Sequence, residues 1–110
     1  MPTVPDAGDI IWVDFDPTRR REQRGHRPAL VLSPARYNRR AELLLCCPLT
    51  TAVKGYPFEV AIAGPRGGVA LADQVKSIDW RARRVKVAGR ASGDELAEVL
   101  AKIKALLQID

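Results

Sequence analysis

Apolar positions fall in short runs separated by turn residues over the first three quarters of the chain. From Gly8 to Phe15 they alternate. Ile11, Val13 and Phe15 share one side, and Trp12, Asp14 and Asp16 share the other, which predicts a strand with one face on a core. Asp16-Pro17-Thr18 ends it, and a polar loop runs to Pro28. Ala29 to Leu32 is continuously apolar, as in a strand buried on both faces. Ser33-Pro34 marks a turn, and residues 34–40 fit a short helical turn. Leu43 to Leu49 predicts another strand, with Pro48 near its end, where a missing backbone donor costs least. Phe58 to Ala63 alternates again, residues 64–68 form a turn, Val69 to Ile78 reads as one or two strands, and Val85 and Val87 mark a last one.

The tail changes period. Leu96, Val99, Leu100, Ile103, Leu106 and Leu107 recur at helical spacing, with Glu98, Lys102 and Lys104 on the other side. Ser92 followed three residues later by Glu95 is a capping box, which fixes the helix start. Many short strands closed by one helix predict a mainly β fold, a small curled sheet or open barrel with a C-terminal helix against it.

Length and charge narrow the function. The 110 residues, 46% of them apolar, fit one domain over 1–110. A domain this small buries a modest share of its surface, so a second subunit would help to stabilise it. The net charge of +5 favours a polyanionic partner, either nucleic acid or an acidic protein segment. The two cysteines, Cys46 and Cys47, are adjacent and point to opposite faces of a strand, so a disulfide between them is not expected. Neither CxxC nor a Cys/His ligand set is present, so no metal or other cofactor is expected. The first nine residues lack the basic start and apolar run of a signal peptide, and no stretch has the length of a membrane span. A cytoplasmic protein away from membranes is the expectation.

Chemistry concentrates in the loop before Pro28. Between Thr18 and Arg40 there are eight arginines and one acid, Glu22. Arginine in place of lysine suits bidentate phosphate contacts and stacking on bases. A solvated charged loop would look similar, but the apolar strand after Pro28 places Arg27 at a rigid strand entrance. His26 is the sole histidine, so a pair of histidines cannot supply acid and base. It fits a polar loop end as well as a catalytic position. Trp12 fits base stacking as well as packing, and Trp80 could lie in a subunit interface. Thr50 and Thr51 end a strand and, taken alone, are ordinary β-formers.

Ordered blocks across the chain carry a family resemblance. Residues 8–17, Gly-Asp-Ile-Ile-Trp-Val-Asp-Phe-Asp-Pro, and residues 22–33, Glu-Gln-Arg-Gly-His-Arg-Pro-Ala-Leu-Val-Leu-Ser, resemble the opening strand and central block of MazF/PemK toxins. Pro48-Leu49-Thr50-Thr51, residues 55–60 and residues 69–78 extend the likeness, which runs from Asp6 to about Arg84 and more loosely through the helix. The MazF branch is the nearer one. Many relatives carry glycine where this chain has Arg20 and a small residue where it has Arg24, which predicts a stiffer, more basic loop.

The resemblance implies a plug-like SH3-type barrel of the CcdB/PemK kind. It also implies a homodimer with single-stranded RNA, an mRNA, in its inter-subunit groove, and a MazE-like antitoxin whose acidic flexible tail covers that groove. The implied activity is that of a metal-independent, sequence-specific endoribonuclease. The ribose 2′-hydroxyl attacks phosphorus, leaving a 2′,3′-cyclic phosphate and a 5′-hydroxyl. By similarity Arg27 and Thr51 form the catalytic pair, with Glu22 close by. A guanidinium holds its proton far above neutral pH and is unsuited as a base. Arg27 is therefore expected to stabilise charge and to donate to the leaving oxygen, with Glu22 the first choice of base and His26 the second. Trp12, Asp16, Arg19, Arg20, Arg21, Arg24, Lys54, Gln74 and Lys76 are expected to hold RNA. A gyrase-poisoning toxin of the same fold and a passive nucleic-acid-binding barrel are the rivals. The first is disfavoured because its Trp-Gly-Ile ending is absent, Gln108-Ile109-Asp110 standing in its place, and because of the Arg27 and Thr51 blocks; the second leaves Glu22, Arg27 and Thr51 unexplained.

Overall fold

The computed structural model describes residues 3–14, 26–64 and 67–109, with His26 described through its backbone. Among these residues seven strands and two helices follow in order: β1 (Asp9–Asp14), β2 (His26–Val31), α1 (Ala35–Ala41), β3 (Leu43–Thr50), β4 (Glu59–Ala61), β5 (Val69–Leu71), β6 (Lys76–Asp79), β7 (Lys86–Arg90) and α2 (Gly93–Leu107). The architecture is a mostly antiparallel β-sheet closed by a C-terminal helix, as the pattern predicts. The region from Val69 to Ile78 resolves into two strands, interrupted at residues 72–75.

β3 organises the sheet. One of its edges pairs with β2, which continues through β1 to β7. The other edge has two successive partners: β6 along Leu43–Cys46, then β5 at Leu49 and Thr50, with β4 beyond β5. The change of partner spans Cys47 and Pro48. Proline has no N–H to leave unsatisfied, so a gap in the ladder costs least there.

Both faces of the central strands are buried, which explains the doublets Ile10-Ile11, Leu30-Val31 and Cys46-Cys47. Successive side chains point to opposite faces, and each face has its own core. Ile10, Leu30, Cys47, Val60 and Val99 pack on the α2 side, joined by Leu96 and Ile103. Ile11, Val13, Val31, Leu44, Cys46 and Trp80 form the second core on the other side. The opening strand is thus less one-sided than its alternation predicts, because Ile10 is as deeply buried as Ile11. Phe15, assigned to the core from the pattern, lies outside the described residues.

The predicted capping box is present. Ser92 Oγ accepts from the Glu95 N–H, and the Glu95 carboxylate accepts from the Ser92 N–H. That carboxylate also accepts from the Ala63 N–H at 2.9 Å, tying the helix start to the chain after β4. Trp80 corrects an expectation. It is 3% exposed and its indole N–H donates to the Asn38 carbonyl at 2.9 Å, so it belongs to the second core and not to a surface available for a subunit interface. Among the described residues no helix is long and apolar enough to cross a membrane.

Candidate active site

Where β3 changes partner, a cleft of about 340 Å³ opens into the second core. Val13, Ala29, Cys46 and Ile78, all members of that core, form its floor. Arg27, Thr50, Gln74 and Lys76 supply its polar wall. Each arrives from a different part of the sheet. Arg27 lies on β2 opposite Val13 of β1. Thr50 is the last residue of β3, and Gln74 and Lys76 lie on the stretch that leaves β5 and enters β6.

The register explains which residues meet. Ala29 pairs with Pro48, Leu30 with Cys47 and Val31 with Cys46. Continued by two residues, this register sets Arg27 opposite Thr50. Arg27 and Ala29 on β2 share a face with Cys46, Pro48 and Thr50 on β3, and all five line the cleft. Thr51 is one residue further, beyond the end of β3. It is exposed and does not line the cleft, whereas Thr50 lines it together with Arg27.

The remaining expected residues divide. Gln74 and Lys76 are brought to the cleft. Trp12 is half-buried and paired with Pro28 and Lys86, on the face of β1 away from Val13, so it does not reach the cleft floor. Lys54 is exposed on the loop after β3 and is absent from the lining; its N–H and that of Gly55 donate to the Glu59 carboxylate. Asp16, Arg19, Arg20, Arg21, Glu22 and Arg24 lie outside the described residues, as does the side chain of His26.

The electrostatics suit an anion. Arg27 and Lys76 bring two cations to one wall, and among the described residues Arg27 has no carboxylate partner. Thr50 Oγ1 accepts a hydrogen bond from the Ala52 N–H at 3.0 Å, which leaves its own O–H to donate elsewhere. Burial pushes the Cys46 thiol up to about 11, against a smaller opposing pull from Lys76. The Cys47 thiol is pushed up to about 12, first by burial and then by Cys46 and Asp73. Both stay protonated near neutrality, so the cysteine in the cleft floor is a poor nucleophile. Among the described residues no group of three or more His, Cys, Asp or Glu side chains could hold a metal ion.

Comparison with known proteins follows the same lines. Residues 6–107 match the family described as PemK-like, MazF-like toxin of type II toxin–antitoxin system. Over 105 residues the chain is 59% identical to the endoribonuclease toxin MazF of Escherichia coli (strain K12), covering 94% of this chain and 95% of that one. It is 33% identical over 108 residues to the endoribonuclease PemK of Escherichia coli, covering 93% and 81%. Among solved structures, a MazE–MazF crystal structure from Deinococcus radiodurans superposes with a TM-score of 0.88 at 45% identity, covering 99% of this chain and all of that one. The chain belongs to the PemK-like, MazF-like family of type II toxins.

Proposed function

We propose that the protein is an endoribonuclease toxin that cuts single-stranded RNA in this cleft with its own side chains. The observation that carries the reading is that Arg27, Thr50 and Lys76 line one cleft over an apolar floor. The attacking 2′-oxygen forms a bond to phosphorus while the bond to the 5′-oxygen breaks, leaving a 2′,3′-cyclic phosphate and a 5′-hydroxyl. Negative charge builds on the phosphate oxygens during the step. Arg27 donates two parallel hydrogen bonds to it and the Thr50 hydroxyl a third. Donors held in place before the reaction are worth about 10²–10³ each in rate. Arg27 also donates a proton to the leaving 5′-oxygen, which becomes the 5′-hydroxyl. Glu22 takes the 2′-proton, with His26 the second choice, both from the segment that enters β2.

The rest of the cleft suits RNA. Lys76 meets a neighbouring phosphate, Gln74 presents an amide to a base edge, and Val13, Ala29 and Ile78 offer an apolar floor to a base. We assign no metal to the reaction. The cations that attract RNA attract acidic peptide equally, which supports a MazE-type antitoxin whose acidic tail competes for the same wall. A cytoplasmic homodimer completes the proposal. Leu100, Leu106, Leu107 and Ile109 stand exposed along α2 and its end, apolar surface that a second copy would cover. Incubating the purified protein with single-stranded RNA tests the activity: discrete fragments are expected, and intact RNA bound without cutting would favour a passive binding barrel.

A further inference from the structure

Thr50 ends β3, beside the loop that leads to β4, and a strand end is a poor place to hold a reacting hydroxyl unless something fixes it. Gly68 is in contact with that end. It has φ +90°, and a Cβ added to it would sit 2.3 Å from the Thr50 carbonyl oxygen, 3.0 Å from the carbonyl carbon and 3.2 Å from Thr51 Cα. All three are backbone atoms, which cannot turn aside as a flexible side chain would. Gly68 is itself held from behind, because its carbonyl accepts from the Ile62 N–H at 3.0 Å. The next residue, Val69, pairs with Thr50 across the β3–β5 ladder. Any side chain at position 68 therefore has to push the Thr50–Thr51 peptide away from the sheet.

We propose that Gly68 is a positioning residue for the Thr50 hydroxyl: by coming closer than any side chain allows, it seats the Thr50–Thr51 peptide so that Thr50 faces Arg27. This rests on the reading of the cleft as the site of RNA cleavage. Displacement of a reacting group by about 1 Å can cost a hundredfold in rate. Gly67 provides an internal control. It too has a positive φ, +67°, but a Cβ there meets nothing within 4 Å. Alanine at 67 carries the backbone strain without the contact, and alanine at 68 carries both.

The test is a kinetic double-mutant cycle on the full chain with a cleavable RNA. Gly68→Ala is expected to lower kcat about a hundredfold with KM within about threefold of wild type, while Gly67→Ala keeps a kcat near wild type. In a Thr50→Ala background Gly68→Ala is expected to slow the reaction no further. A wild-type kcat for Gly68→Ala, or the same hundredfold loss added on top of Thr50→Ala, overturns the proposal and leaves the cleft chemistry standing. Full activity in Thr50→Ala alone overturns the Thr50 assignment and the positioning role with it. Gly68→Asn carries the same Cβ on a residue that accepts a positive φ more readily, and it is measured beside Gly67→Asn in case the alanine variant does not fold. If both Gly68 variants lose the fold while both Gly67 variants keep it, the glycine serves the fold alone and the proposal is overturned.

Discussion

Arg27 on β2 and Thr50 on β3 line the same cleft, and the β2–β3 register, extended two residues beyond the Ala29–Pro48 pair, sets them opposite each other. Opposed side chains in such a pair lie about 5 Å apart at Cβ, a span one phosphate group can bridge. Both sit over the second core, so the backbone beneath them is fixed by Val13, Ala29 and Cys46. A guanidinium and a hydroxyl thereby become a two-sided clamp on one anion.

This opposition separates two neighbouring threonines. Thr50→Val keeps the shape and removes the donor, and is expected to cost about 10²–10³ in kcat with the melting temperature little changed. Thr51→Val, on the exposed side, is expected to cut RNA at close to the wild-type rate. Single-turnover cleavage by the two variants decides the matter, and equal losses would place the clamp elsewhere.

At position 27 geometry matters as well as charge. Lysine preserves the charge and loses the planar fork, so Arg27→Lys is expected to lose about a hundredfold in kcat while binding RNA nearly as well as wild type. Arg27 is exposed, so the substitution should move stability by no more than about 0.5 kcal/mol. Cleavage and fluorescence binding measured on one RNA separate the two effects.

Acid should loosen the fold at two named places. Hydrogen bonds from the Ala35 and Ala7 N–H groups hold the Asp6 carboxyl below its usual 3.8, and those from Ser92 and Ala63 hold Glu95 below 4.5. A depressed carboxylate pKa stabilises the fold above the unfolded-state value, and this stability is lost as pH falls through the folded value. The melting temperature is therefore expected to be insensitive to these groups near neutrality and to drop once pH passes below about 4.5. Asp6→Asn and Glu95→Gln should each flatten that drop when thermal unfolding is followed from pH 6 to pH 3.

Arg19, Arg20, Arg21 and Arg24 precede the strand that carries Arg27 and are expected to steer RNA through phosphates. Replacing Arg20 and Arg21 with alanine should weaken cleavable and non-cleavable RNAs alike. It should also flatten the dependence of log affinity on log salt by roughly 0.7 per lost contact. The cut site should stay the same, since phosphate contacts carry little sequence information. A changed cut site with an unchanged salt slope would make the loop a base reader instead.

Much of this was legible in the sequence. Alternation and turn residues gave the strands, Ser92 and Glu95 gave the helix start, and the continuous run at Ala29–Leu32 announced a strand buried on both faces. Gln74 and Lys76, expected from the family blocks to hold RNA, line the cleft that Arg27 lines. Other features needed pairing information. Which threonine faces Arg27 depends on the register of β2 against β3, and a shift of one residue inverts the answer. Trp80 looked like a surface aromatic between two charges, because the Asn38 carbonyl that receives its N–H lies 42 residues away in sequence. The role of Gly68 depends on a contact with the backbone of a distant strand, which residue type alone does not reveal.

The central claim is that this cleft cuts RNA with protein side chains alone. The most direct measurement is cleavage of an end-labelled single-stranded RNA in excess EDTA by wild type and Arg27→Ala, with the new ends analysed chemically. Wild type is expected to cut at its full rate, leaving 2′,3′-cyclic phosphate and 5′-hydroxyl ends, and Arg27→Ala to leave the RNA intact. Cleavage that vanishes in EDTA and returns with magnesium, or an Arg27→Ala variant that cuts at the wild-type rate, would contradict the account.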